Sequence, residues 1–103
     1  MRKYRNIKVM YKGIKFDSKK EFERYLILED MYKKGKIKDL KLQVPYTLID
    51  KSCFGNAVKY VADFVYKKDD QIVVEDVKGF KTPVYRLKKR ILAERYGIEI
   101  KEV

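Results

Sequence analysis

The chain contains no histidine. That absence excludes a Ser-His-Asp triad, a Cys-His pair, a nuclease with a histidine base and any zinc site built on imidazole. A metal bound here must sit on oxygen ligands, and oxygen ligands favour Mg2+ or Mn2+. Cysteine occurs once, at Cys53, so no internal disulfide can form and a reducing compartment, the cytoplasm, is expected. Cys53 lies in a turn-like stretch without an activating partner and is expected to be incidental. No apolar run is long enough to span a bilayer. Met1-Arg-Lys-Tyr-Arg5 leads into no apolar segment, so no signal peptide is expected. No repeat, low-complexity segment or linker divides the 103 residues, and one domain over residues 1–103 is expected.

What the chain has in excess is positive charge. Twenty-six Lys and Arg stand against 15 Asp and Glu, a net charge of +11. On so small a domain this points to a polyanionic partner, nucleic acid before membrane. No helical stretch is strongly basic on one face and cleanly apolar on the other, as membrane-surface binding would require. Hydrophobic residues at 46%, with 14% aromatic, are enough for a folded core.

The most informative stretch is Tyr60–Gly79, Y-V-A-D-F-V-Y-K-K-D-D-Q-I-V-V-E-D-V-K-G. Two hydrophobic runs flank a polar turn at residues 67–71, which predicts a β-hairpin. Alternation puts Val61, Asp63 and Val65 on one face of the first strand, and Ile72, Val74, Asp76 and Lys78 on one face of the second. Each strand then carries a carboxylate among aliphatic residues, where an ionised group needs a cation or hydrogen bonds. Asp63, Asp76 and Lys78 can converge into a site for a divalent metal, a water and a phosphate. Glu75 alternates away from Asp76 and is expected to lie behind the site or face solvent.

The flanking segments are readable from their punctuation. Residues 7–17, turning at Lys12-Gly13, predict a small basic hairpin; its lysines either touch phosphates or block edge pairing. Ser18-Lys-Lys-Glu21 fits a capping box that opens a helix running to about Lys34, with Gly35 as its stop. Phe22, Tyr25, Leu26, Leu28 and Tyr32 form its expected apolar face, and Glu21 falls within that face. Capping alone accounts for Ser18 and Glu21, so an inward role for Glu21 competes with a local one. Leu40, Leu42, Val44, Tyr46 and Leu48 alternate as a strand, with Gln43 on the opposite face and Pro45 marking an edge or a bulge. Thr82 and Pro83 are suited to N-cap and N1 of a second helix that ends at Gly97, with Val84, Leu87, Ile91 and Leu92 as its stripe. Lys88 lies near that stripe, able to reach the site or to snorkel outward. Residues 98–103 alternate as a last strand. A mixed α/β (α+β) sheet with a crossover helix follows, with Asp63, Asp76 and Lys78 near one edge.

Asp63 followed by Asp76-Val77-Lys78 resembles the signature of the PD-(D/E)XK nuclease superfamily, whose core order is αβββαβ. Phe16-Asp-Ser-Lys-Lys-Glu21, Tyr60-Val-Ala-Asp-Phe64, Val74-Glu-Asp-Val-Lys-Gly79 and Thr82-Pro-Val-Tyr-Arg-Leu-Lys88 together resemble small phage-encoded nucleases within it, of the Holliday-junction-resolvase type. The chain departs from the pattern in lacking a proline before Asp63. The resemblance implies a restriction-endonuclease-like fold with an N-terminal hairpin. It also implies a Mg2+-dependent endodeoxyribonuclease, with Mn2+ able to substitute. Asp63, Asp76, the Val77 carbonyl and Glu21 would hold the metal, and Lys78 would orient the nucleophile and stabilise developing charge. Lys12, Lys15, Gln43, Lys81, Thr82, Tyr85 and Lys88 are the expected nucleic-acid contacts. The expected substrate is branched DNA cut by a homodimer in the cytoplasm, that of the host if phage-encoded. The alternatives are a nicking or end-processing nuclease and, in another class, a DNA-binding subunit that does not cut.

Overall fold

The computed structural model describes residues 8–77 and 81–103. Its elements are β1 (Val9–Tyr11), β2 (Ile14–Phe16), α1 (Lys19–Lys33), β3 (Lys38–Ile49), β4 (Val58–Lys68), β5 (Gln71–Asp76), α2 (Pro83–Tyr96) and β6 (Ile100–Glu102). β1 and β2 form a two-stranded antiparallel hairpin. The other strands form a mixed four-stranded sheet in the order β3-β4-β5-β6. The first three are antiparallel neighbours, and β6 lies parallel to β5 after the α2 connection. This is the expected α/β (α+β) architecture with its N-terminal hairpin.

Local chemistry sets the boundaries. Lys12 and Gly13 have φ of 50° and 78°, and Asp69 and Asp70 have 51° and 63°. Two consecutive positive-φ residues make the tight turn that matches strand twist, so both hairpins close on two-residue loops. The Ser18 hydroxyl accepts the Glu21 N–H at 3.1 Å and starts α1. At the other end Gly35 N–H reaches the Tyr32 carbonyl and Lys36 N–H the Met31 carbonyl, closing the helix in a Schellman arrangement. Thr82 caps α2 by accepting the Tyr85 N–H at 3.1 Å, and Gly97 ends it at φ 68°.

Helices cover both faces of the sheet, which gives two cores. One joins Phe16, Tyr25, Leu28, Ile37, Phe64 and Tyr66 beneath α1 and the hairpin. The other joins Leu48, Tyr60, Ala62, Val74, Tyr85, Leu92 and Ile100 beneath α2. Strand β4 contributes Tyr60 and Ala62 to the second core and Phe64 and Tyr66 to the first, so its buried side chains pass between layers around Asp63.

Several expected faces are corrected. On β4 the buried set is Tyr60, Ala62, Phe64 and Tyr66, whereas Val61 is exposed and Asp63 and Val65 are half-buried. On α1, Leu26 and Tyr32 are exposed, and the buried residues are Glu21, Tyr25 and Leu28. On α2, Val84 and Leu87 point to solvent while Tyr85 and Leu92 are buried. Asp63 and Asp76 lie on the two central strands rather than near an edge, because β6 adds on the far side of β5. β3 is the edge strand that Pro45 marks, and its pairing with β4 is irregular at both ends.

Candidate active site

The two aspartates meet through strand register. The β4-β5 ladder ends with Phe64 paired to Glu75, which leaves Asp63 and Asp76 as the next residues at the same end of the two strands. Asp76 is 1% exposed. The Val77 N–H donates to Asp63 Oδ2 at 2.8 Å and fixes that carboxyl at the end of β5. Burial pushes the Asp63 carboxyl up, the Val77 N–H draws it back, and hydrogen bonding and charge from Asp76, with the charge of Glu21, push it up again; the result is about 7. Two carboxylates, Asp76 and Glu21, therefore act on Asp63.

Glu21 enters from α1. Its backbone N–H serves the Ser18 cap, while its buried carboxylate accepts from Gln43 Nε2 at 3.1 Å. One residue thus marks the helix start with its main chain and reaches β3 with its side chain. Gln43 sits at φ 52° within β3. A left-handed residue inside a strand is strained, and such strain gathers at functional sites. Here it accompanies an amide that holds Glu21.

The environment of Asp76 is completed by tyrosines. Burial, then the charge of Asp76, holds the Tyr60 phenol far above its ordinary value. Burial, then the bond to Glu102, does the same for Tyr85. The two rings lie 6.4 Å apart. Both phenols stay protonated beside the carboxylates.

Of the two places expected for Glu75, behind the site or in solvent, it takes the first. It is fully buried, on the α1 side of the sheet. Arg24 grips it with two hydrogen bonds, Nε to Oε1 at 2.8 Å and Nη2 to Oε2 at 2.7 Å, and the Tyr66 hydroxyl donates to it as well. Burial alone would raise the Glu75 carboxyl; Arg24 and Tyr66 more than offset this and hold it below its usual range. Arg24 lies one turn from Glu21, and Glu75 is next to Asp76. This fork clamps together the two elements that carry Glu21 and Asp76.

A second carboxylate stands on the α2 side. Glu102 is level with Asp76 on the neighbouring strand. It receives Lys81 Nζ at 2.7 Å, Tyr85 Oη at 2.7 Å and Lys89 Nζ at 3.2 Å. Lys81, then Tyr85, with Lys89, hold its carboxyl down to about 2.

The chain belongs to the DUF1064 family. The model of that family, described as a protein of unknown function, matches residues 1–102. No curated protein and no solved structure matches the chain.

The expected residues of this DUF1064 protein divide accordingly. Glu21, Gln43, Asp63 and Asp76 come together. Val77 reaches the site through its N–H. Lys81 and Tyr85 stand one strand away around Glu102, and Thr82 uses its hydroxyl as a helix cap. Lys88 is half-buried on α2, and Lys15 is exposed on β2. Lys12 is drawn to Glu29, two turns along α1 from Glu21, so it stands apart from the carboxylates. Lys78 lies outside the described residues, as do Arg2, Lys3 and Arg5. Arg24, Tyr60, Lys89 and Glu102 are additions that pattern alone did not single out.

Among the described residues, no group of three or more Cys, Asp or Glu side chains is arranged to hold a metal ion. What the residues offer a cation is crowded negative charge: a carboxyl pushed up to about 7 partly by two like charges. A cation beside such a group favours its ionised form. Two carboxylates, with carbonyl and water oxygens, suit Mg2+, which retains several waters.

Proposed function

We propose that this protein is a metal-dependent endodeoxyribonuclease acting on branched DNA as a two-fold dimer. The observation that carries the reading is the Asp63 carboxyl held beside Asp76 by the Val77 N–H at 2.8 Å, with Asp63 raised to about 7 by burial and like charge. Groups so perturbed cluster at catalytic sites. A divalent cation, when bound, polarises a phosphoryl oxygen and makes water more acidic. Asp63 and Asp76 would hold it, with the Val77 carbonyl and Glu21 as further oxygen donors.

The chain's own groups then do the rest. Val77 N–H orients Asp63, and Gln43 orients Glu21. Tyr60 and Tyr85 offer protonated phenols on the buried side. Lys78, next in sequence to Val77, would orient the nucleophile and stabilise charge on the phosphate. The +11 charge supports attraction to the DNA backbone without sequence reading. Resolving a four-way junction needs two cuts, and a two-fold dimer supplies two equivalent sites. Val84 and Leu87 give α2 an outward apolar surface consistent with such pairing. Among the described residues no helix is long and apolar enough to cross a membrane.

The test is cleavage of supercoiled plasmid and of linear, nicked, forked and four-way DNAs, with Mg2+, Mn2+ or EDTA, beside sedimentation of the protein. Metal-dependent cutting with preference for the junction is expected, and Asp76→Asn should abolish it while DNA binding remains. Cutting in excess EDTA, or full activity of Asp76→Asn, overturns the site. A monomer that cuts linear duplex as readily as a junction overturns the resolvase reading.

A further inference from the structure

We propose that Lys81, Tyr85 and Lys89 form a subsite for a DNA backbone phosphate beside the carboxylate pair, and that Glu102 occupies this subsite until DNA displaces it. The inference rests on the nucleic-acid reading above and adds to it a regulating carboxylate. The geometry begins with β6. It runs parallel to β5 with Glu102 level with Asp76, and the Val103 N–H donates to the Asp76 carbonyl at 3.1 Å. Adjacent strands lie about 4.8 Å apart. A phosphate held where the Glu102 carboxylate now lies would therefore be a near neighbour of Asp76.

The donors are arranged for an oxyanion. Lys81 addresses Oε1, and Tyr85 and Lys89 both address Oε2. Two ammoniums and a phenol converging on one carboxylate can serve the oxygens of a phosphate in the same way. Tyr85 remains a donor because burial and Glu102 keep its proton on. The lysine side chains are 48% and 40% exposed, so solvent and a ligand can reach them. Open ion pairs of this kind add little stability and exchange readily. Lys89 also lines a cavity of about 260 Å3 between α2 and β6, beside Arg86 and Arg90. Basic side chains thus continue from the subsite along the outside of α2.

A second acid on the same side provides the control. Glu94 pairs with Arg90 at 2.8 Å, with both side chains mostly in solvent. Glu102→Gln and Glu94→Gln make the same change in net charge. Binding of a fluorescein-labelled four-way DNA junction is followed by anisotropy in EDTA, across a salt series. Glu102→Gln is expected to tighten binding several-fold more than Glu94→Gln. The Lys81→Gln, Lys89→Gln double variant should weaken binding and reduce the salt slope by about 1, since the one phosphate held there contributes about 0.9. In that background Glu102→Gln should give no more than Glu94→Gln. Equal effects of the two glutamate variants, or an unchanged slope in the lysine variant, overturn the subsite while wild-type binding leaves the nucleic-acid reading standing. No binding by wild type overturns both. The lysines lie on the surface, so their variant carries the test even if Glu102→Gln fails to fold.

Discussion

Asp63→Asn should make the metal-free protein more stable at neutral and alkaline pH. The Asp63 carboxyl is raised to about 7, chiefly by burial and then by Asp76 and Glu21, against an ordinary value near 4. A raised carboxyl binds its proton more tightly folded than unfolded. Its contribution is therefore neutral at low pH and becomes an increasing penalty as pH rises from about 4 to about 7. At 1.36 kcal/mol per pH unit the full penalty is at most ~4 kcal/mol. Asp63 is only half-buried and solvent screens it, so relief of ~1–2 kcal/mol is expected at pH 8. The asparagine oxygen can still accept from Val77. For a domain of this size such relief corresponds to roughly 4–16 °C in melting temperature.

Thermal unfolding of wild type and Asp63→Asn at pH 4 and pH 8, with and without Mg2+, measures it. The variant should gain at pH 8 in EDTA and gain little at pH 4. Mg2+ should raise the wild-type melting temperature at pH 8 and leave the variant nearly unmoved. A variant less stable than wild type at pH 8 in EDTA would refute the reasoning. That outcome would mean that the extra strength the Val77 bond gains from a charged acceptor outweighs the repulsion.

Two further outcomes test the supports of the site. Glu21→Gln should fold normally, because the Ser18 cap uses the Glu21 backbone N–H, and plasmid cleavage should fall sharply; normal cleavage would leave Glu21 a helix-start residue only. Arg24→Met should cost ~3–5 kcal/mol in urea unfolding by stranding Glu75 in the core, and Arg24→Met with Glu75→Leu should recover most of it; a mild single variant would show the fork to be dispensable.

The hairpin turns, the Ser18 and Thr82 caps and the Gly35 and Gly97 stops were legible because each is a local event of a few residues. The same holds for the hairpin that places Asp63 beside Asp76. What escaped the sequence depends on contacts between distant segments. The β4 faces were misassigned because helices cover both sides of the sheet, so apolar alternation no longer separates inside from outside. Tyr85 rather than Val84 or Leu87 turns inward because its hydroxyl finds Glu102, seventeen residues away. Glu75 could be buried only because Arg24, fifty-one residues earlier in the chain, returns to meet it. No local spacing announces either partner. Alternation sets Gln43 on the face opposite Leu42 and Val44, but nothing local announces its left-handed backbone or its bond to Glu21.

The two supports explain how a domain of 103 residues can keep acids inside its sheet. β5 presents Glu75 to the α1 side and Asp76 to the other. Glu75 meets a half-buried guanidinium and a phenol, and its charge is neutralised in the folded chain. Asp76 meets another carboxyl and tyrosines, and its face of the site remains rich in negative charge. The first arrangement is stable without a ligand and links α1 to β5. The second would become more favourable if a cation bound, as the proposed function requires. Because Arg24 and Glu21 belong to one turn of α1, the clamp that secures the helix also brings the third carboxylate into position. A neutralised acid on one face thereby supports a crowded group of acids on the other, and it is this crowding that the proposed nuclease reading assigns to a cation.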